Sequence, residues 1–174
     1  MDRRLLPLFI ILFAGACAAW QSTSVTPASS PSVALPEVST ERRKAALFYS
    51  DLGPDTVDVS TYPSDIKRDY TVYAQACARC HTLARSINAP YVNRAWWEFY
   101  VASMRVRAKL HGEPLTKQEV RSILDFLEYD SKNRKVARAA EFETNRSELK
   151  RRFEAAFEER MDVLQKQPQP RLIP

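Results

Sequence analysis

The chain has 174 residues, 45% of them hydrophobic and 27% charged, an ordinary globular composition with room for one domain plus extensions. Only 3 glycines argue against a β-rich fold. The formal charge of +5 suits acidic surfaces, either a negatively charged protein partner or anionic lipid headgroups, and no basic stretch interleaved with aromatics points to nucleic acid.

Met1 to Arg4 and the apolar run Leu5 to Phe13 read as the basic and hydrophobic regions of an export signal over residues 1–16, too short to span a bilayer permanently. Two readings of the following stretch stay open. A peptidase cutting at the small residues Ala18 or Ala19 would discard Cys17. If Cys17 instead becomes a lipidated first residue, the unpaired cysteine has a role, although Ala14 stands where a bacterial lipobox more often has leucine. Residues 17–40, rich in Ser, Thr, Pro and Val and almost uncharged up to Ser39, then read as a disordered tether that cannot bury a core.

Folded material is expected from about Glu41, with a short helix over Arg42 to Tyr49 that stops before Gly53-Pro54. Residues 55–63 read as extended or looped. From Asp65 to about Leu83, Ile66, Tyr70, Tyr73 and Cys77 recur at helical spacing. That helix leads into Cys77-Ala78-Arg79-Cys80-His81, which is C-x-x-C-H, the attachment signature of c-type haem. Cys77 and Cys80 would bind the porphyrin covalently and His81 would be the proximal iron ligand. Thiol redox and zinc chemistry also use C-x-x-C pairs. The first would follow a strand, and none is expected here. The second usually needs four ligands, and beyond the motif only Cys17 and His111 remain.

After a reversal at Asn88, Ala89 and Pro90, a helix from about Asn93 to Leu110 places Trp97, Val101, Met104, Ala108 and His111 within a stripe of roughly 80°. This stripe would lie over the haem. Gly112 reads as its C-terminal cap, and Thr116 with Glu119 as a capping box opening a third helix whose apolar face is Val120, Ile123, Leu124 and Leu127. Residues 41–135 are thus one expected domain. Residues 136–174 form a charged helical extension with a thin stripe of Phe142, Leu149, Phe153, Phe157 and Leu164. It could pack back on the domain, project as an interaction helix, or pair as an imperfect coiled coil.

Tyr73, the Cys77 to Thr82 segment, Trp97-x-x-x-Val101-x-x-Met104-Arg105, Leu115-Thr116 and the Glu119, Ile123, Leu127 pattern together resemble the bacterial monohaem c-type cytochrome domain. The resemblance covers about Ile66 to Lys135. It implies an all-α, small cytochrome c-like fold, one covalent haem c, and single-electron transfer between redox partner proteins in the periplasm or at its membrane. It implies a carrier rather than an enzyme. The interval from His81 to Met104 is shorter than in small cytochromes c whose methionine lies in a loop. With His81 used, Met104, His111 and the more remote Met161 are the candidates for the distal iron position, and Met104 best matches the pattern. A haem-based sensor with an open distal side, or a cytochrome subunit of a larger oxidoreductase, are the competing functions.

Overall fold

A computed structural model describes residues 35–167, so the export signal, Cys17 and the tether up to residue 34 lie outside the described residues. Those described residues are all α. They form α1 (Thr40–Ala45), a 3-10 turn (Tyr49–Leu52), α2 (Ser64–Cys77), α3 (Ala84–Ile87), α4 (Arg94–Leu110), α5 (Lys117–Asp130), a π-helical segment (Ser131–Val136) and α6 (Ala139–Lys166).

The boundaries of α4 and α5 follow from local chemistry. Asn93 caps α4 by accepting the Trp96 amide at 3.1 Å. At the other end Gly112 takes φ of 79°, and the amides of Glu113 and Gly112 return to the carbonyls of Ala108 and Lys109 at 2.9 and 3.2 Å. Thr116 and Glu119 close the expected box, with Thr116 N to Glu119 Oε2 at 2.8 Å and Glu119 N to Thr116 Oγ1 at 3.1 Å.

The core lies where α2 crosses α5 and where α4 packs beside them on α5. Tyr73, Trp97 and Phe126 are fully buried there, and Ile123 and Leu127 nearly so. The Phe126 ring packs tilted against Tyr73 and Tyr70, with centroids 4.7 and 5.0 Å away. Side chains of this size contribute roughly 1.5–3 kcal/mol each by burial, and Phe126→Ala would cost about 3–5 kcal/mol with its cavity.

Three expected boundaries are corrected. The helix reaching Leu83 ends at Cys77, so Cys80 and His81 sit in a turn before the chain re-enters a helix at α3. The first helix spans Thr40–Ala45, not Arg42 to Tyr49, with Tyr49–Leu52 in the 3-10 turn. The end of the expected tether is packed: Val38 is buried with Ala46, Leu52 and Leu149 of α6. Arg152 of α6 also donates to Pro36 O at 2.9 Å. The extension therefore folds back onto Leu35 to Leu52 and the π-helical segment, as far along as the buried Ala156 and Arg160, which donates to the carbonyls of Lys44 and Ala46 at 3.1 and 2.8 Å. Phe157 and Leu164 of α6 are exposed.

Candidate functional site

Among the described residues, α2 and α4 both rest on α5 and hardly touch each other. The gap left between them is a cavity of about 180 Å³ lined by Cys77, Cys80, His81, Met104 and His111, together with Arg85, Arg107 and the apolar Ala76, Ala108 and Leu115. Cys77, Cys80, His81, Met104 and His111, five of the expected site residues within the described residues, converge on this one space. Met161 lies on α6 and does not line it.

Cys77 ends α2 and Cys80 follows in the turn, and neither is in a disulfide. Burial pushes the Cys77 thiol up to about 12, with the neighbouring Cys80 adding to the rise and Arg79 opposing it. A redox-active or nucleophilic thiol has its pKa lowered, so this cysteine is placed as a neutral group in an apolar wall. Among the described residues no cluster of three or more His, Cys, Asp or Glu side chains is positioned to share a metal ion.

His81 makes the contact expected of an iron ligand. Its Nδ1 stands 2.8 Å from the carbonyl oxygen of Thr82. A carbonyl only accepts, so Nδ1 carries the proton, and in the neutral ring Nε2 keeps its lone pair. The turn is fixed from outside the cavity by Arg79, which donates to Glu119 Oε1 at 2.9 Å and lies 3.8 Å from Glu113. The other oxygen of Glu119 is the one that caps α5, so one carboxylate ties the C-x-x-C turn to a helix N-terminus. The Thr116 amide first, then the Thr116 hydroxyl, hold this carboxyl below its ordinary value; burial opposes them, and Arg79 adds to the lowering.

Opposite the motif, α4 presents Met104 half-buried in its last turns and His111 exposed at its C-cap. Arg85 enters from α3 and is held by a buried carboxylate: Asp51 Oδ1 and Oδ2 accept its Nε and Nη2 at 2.8 and 2.9 Å. Sequence reasoning missed Arg85 and Arg107, since single arginines carry no local signal of what they face. It also missed Tyr100, whose hydroxyl is buried without a hydrogen-bond partner. Burial raises the Tyr100 pKa, with Cys77 adding to the rise and Arg85 opposing it. The Tyr73 hydroxyl, by contrast, is satisfied by Ser86 Oγ at 2.6 Å and the Leu83 carbonyl at 3.3 Å.

The residues present fit a c-type haem chemically. Two thiols, one oriented imidazole and a thioether supply its covalent and axial partners, while Arg85, Arg107 and the unpartnered Tyr100 hydroxyl suit its anionic carboxylates. A second cavity of about 300 Å³ lies between the Val38 segment and α6 and is lined largely by charged residues such as Glu37, Arg43 and Glu148. It holds none of these groups. Compared with known proteins, the chain matches no family model, no curated protein and no solved structure.

Proposed function

We propose that this chain is an exported carrier of single electrons built on one covalently attached c-type haem. The observation that carries the reading is the convergence of Cys77, Cys80, His81 and Met104 on one cavity between α2 and α4. The haem, when bound, supplies a reversible one-electron couple. The chain's own residues do the rest. Cys77 and Cys80 would hold the group covalently, and His81, with Nδ1 committed to Thr82, would offer Nε2 as a ligand. Met104 would supply a thioether, which favours the reduced metal and a higher potential than a second imidazole would give. Arg85 and Arg107 would balance its carboxylates.

At about 180 Å³ the cavity is smaller than the roughly 300–1,000 Å³ of sites that enclose a whole ligand. A porphyrin seated here keeps part of its edge outside, which favours exchange with a protein partner over turnover of a small substrate. The net positive charge suits an acidic partner. The basic N-terminus and Cys17 place the protein outside the cytoplasm on a lipid tether in this reading, and among the described residues no helix is long and apolar enough to cross a membrane.

The test is covalent haem. Chain made alongside a c-type maturation system should stain for haem after denaturing electrophoresis, and Cys77→Ser or Cys80→Ser should weaken the stain, with both together abolishing it. A colourless parent band refutes the proposal.

A further inference from the structure

The positive charge of this molecule is gathered at one end. Residues 104–121, which are the last turns of α4, the loop after them and the start of α5, hold Arg105, Arg107, Lys109, Lys117 and Arg121 against two acids, Glu113 and Glu119. Elsewhere among the described residues acidic and basic side chains are equal in number, so this end carries their whole excess. Both acids are already engaged, by Arg79 at 3.8 and 2.9 Å. The five cations take part in no ion pair among the described residues.

Within the chain itself this arrangement is unfavourable. Arg105 and Lys109 are four residues apart on α4, as are Lys117 and Arg121 on α5, and like charges at that spacing repel. Lys117 also stands in the first turn of α5, where the helix dipole disfavours a cation. Arg94 at the start of α4 bonds Asp125 and Glu128 late in α5, so the helices run antiparallel along this edge and the start of α5 lies beside the end of α4.

A groove of about 520 Å³ opens here, lined by the apolar Ala102, Val106, Pro114 and Leu115 and by the unpaired Arg105 and Lys109. Ala102 and Val106 lie about 160° around α4 from Met104, one to each side, so a group held between Cys77 and Met104 does not fill it. Leu115 lines the cavity of the motif as well. An occupant of the groove therefore touches the wall of the site.

We propose that this groove takes an acidic segment of a redox partner protein, its carboxylates on Arg105 and Lys109 and an apolar side chain on the Ala102, Val106, Pro114 and Leu115 floor. That the partner is a redox protein rests on the carrier role proposed above; its chemistry is read from the groove. The unpaired cations supply attraction, and the apolar floor supplies burial that a free phosphate or carboxylate could not use. A flat anionic bilayer would meet the cations and leave the floor empty. With the rest of the described chain neutral in sum, the field that steers an acidic partner converges on this end, beside the motif.

The haem-loaded Cys17→Ser chain, which cannot be lipidated at that position, is titrated calorimetrically with a short peptide of alternating glutamate and leucine. Binding should appear at low salt and weaken as salt rises. Arg105→Glu with Lys109→Glu should weaken it about tenfold, while Lys150→Glu, the same reversal at an exposed site on α6, should leave it within about twofold. Ala102→Gln keeps every charge and sets an amide on the floor, so it should weaken binding about fivefold with far-UV circular dichroism unchanged, the position being exposed. A parent that does not bind the peptide overturns the proposal, as does binding indifferent to Ala102→Gln, or lost equally in Lys150→Glu. Cosedimentation with phosphatidylglycerol vesicles in place of peptide binding would assign the cations to a bilayer and overturn it too. Haem staining reads the carrier role and this titration reads the groove, so the two proposals fail separately.

Discussion

Raising the pH from about 7 to 8.5 should stabilise this fold, and replacing Lys135 by methionine should remove the effect. Lys135 lies in the π-helical segment with almost none of its side chain exposed. Its Nζ donates to the carbonyl oxygens of Ala89 at 2.8 Å and Tyr91 at 3.4 Å, and stands 4.7 Å from the centre of the Trp97 ring. Burial, and then the charge of Arg134, push its pKa down to about 7, with Asp130 acting the other way. The Trp97 face and the two carbonyls also favour the ammonium, so this value is a floor. In the unfolded chain a lysine titrates near 10.4. Between the two pKa values the unfolded state holds one more proton than the folded state, so stability rises with pH, by at most about 1.4 kcal/mol per unit. The rise begins as pH passes the folded pKa and is complete at the unfolded one. Over this window it amounts to at most about 2 kcal/mol, or roughly 6–8 °C in melting temperature for a domain of this size. Stopping near pH 8.5 keeps clear of the buried tyrosines and the Cys77 thiol, all of which titrate higher. Methionine retains much of the packing of the lysine stem but takes the side-chain donor from the buried Ala89 carbonyl, while Tyr91 O still accepts from Ser131 Oγ, which costs about 1–3 kcal/mol at every pH. Thermal melts followed by far-UV circular dichroism across the window measure both effects. A parent whose midpoint does not move, or a Lys135→Met variant that keeps the parent's rise, refutes the reasoning.

Two further outcomes follow from the site and its supports. If Met104 is the distal ligand, the oxidised protein should show the weak red methionine-to-iron band. Met104→Ala should abolish it and open the iron to carbon monoxide, whereas His111→Ala should change neither; carbon monoxide admitted only by His111→Ala would show a bis-histidine haem with Met104 as packing. Asp51→Asn should cost about 3 kcal/mol in urea melts, because the buried carboxylate accepts from Arg85 and from the amides of Leu47 and Phe48 at 3.0 and 3.1 Å. Burial alone would raise that carboxyl, but these donors hold it below its ordinary value. Its contribution is therefore present above about pH 4 and lost as pH falls through the folded pKa, and an acid limb of the melt unchanged by Asp51→Asn would contradict it.

The parts of this fold that the sequence makes legible are those decided within a few residues. Asn93, Gly112 and the Thr116–Glu119 box mark helix ends because their bonds are local. The Trp97, Val101, Met104, Ala108 stripe follows from helical period alone, and it turns inward as expected. Partners distant in sequence are what pattern cannot supply. Phe126 lies just beside the apolar face drawn through Ile123 and Leu127, yet it is fully buried because Tyr73 and Tyr70 come to meet it. Arg85 reaches the cavity only because Asp51, 34 residues earlier, holds it. Val38 reads as the end of a tether and is buried because Leu149 returns to cover it.

The run Asp130 to Lys135 is rich in charge, and its side chains are nonetheless largely interior. The reason lies in the reversal between α3 and α4. Asn88 and Ala89 are buried there, and buried backbone carbonyls require donors. Arg134 supplies one to Ile87 O at 3.0 Å, Lys135 serves Ala89 and Tyr91, and Ser131 Oγ donates to Tyr91 O at 3.1 Å while accepting the Trp97 indole at 3.0 Å. Asp130 in turn neutralises Arg134 and accepts the Tyr62 hydroxyl. The π-helical widening brings Asp130, Ser131, Arg134 and Lys135 onto one inward face, so a single turn of helix satisfies a whole buried loop. That loop is what swings α4 back onto α5, and α4 set there is what places Met104 across the cavity from Cys77 and His81. The polar network far from the motif thus fixes the distance between the two sides of the site.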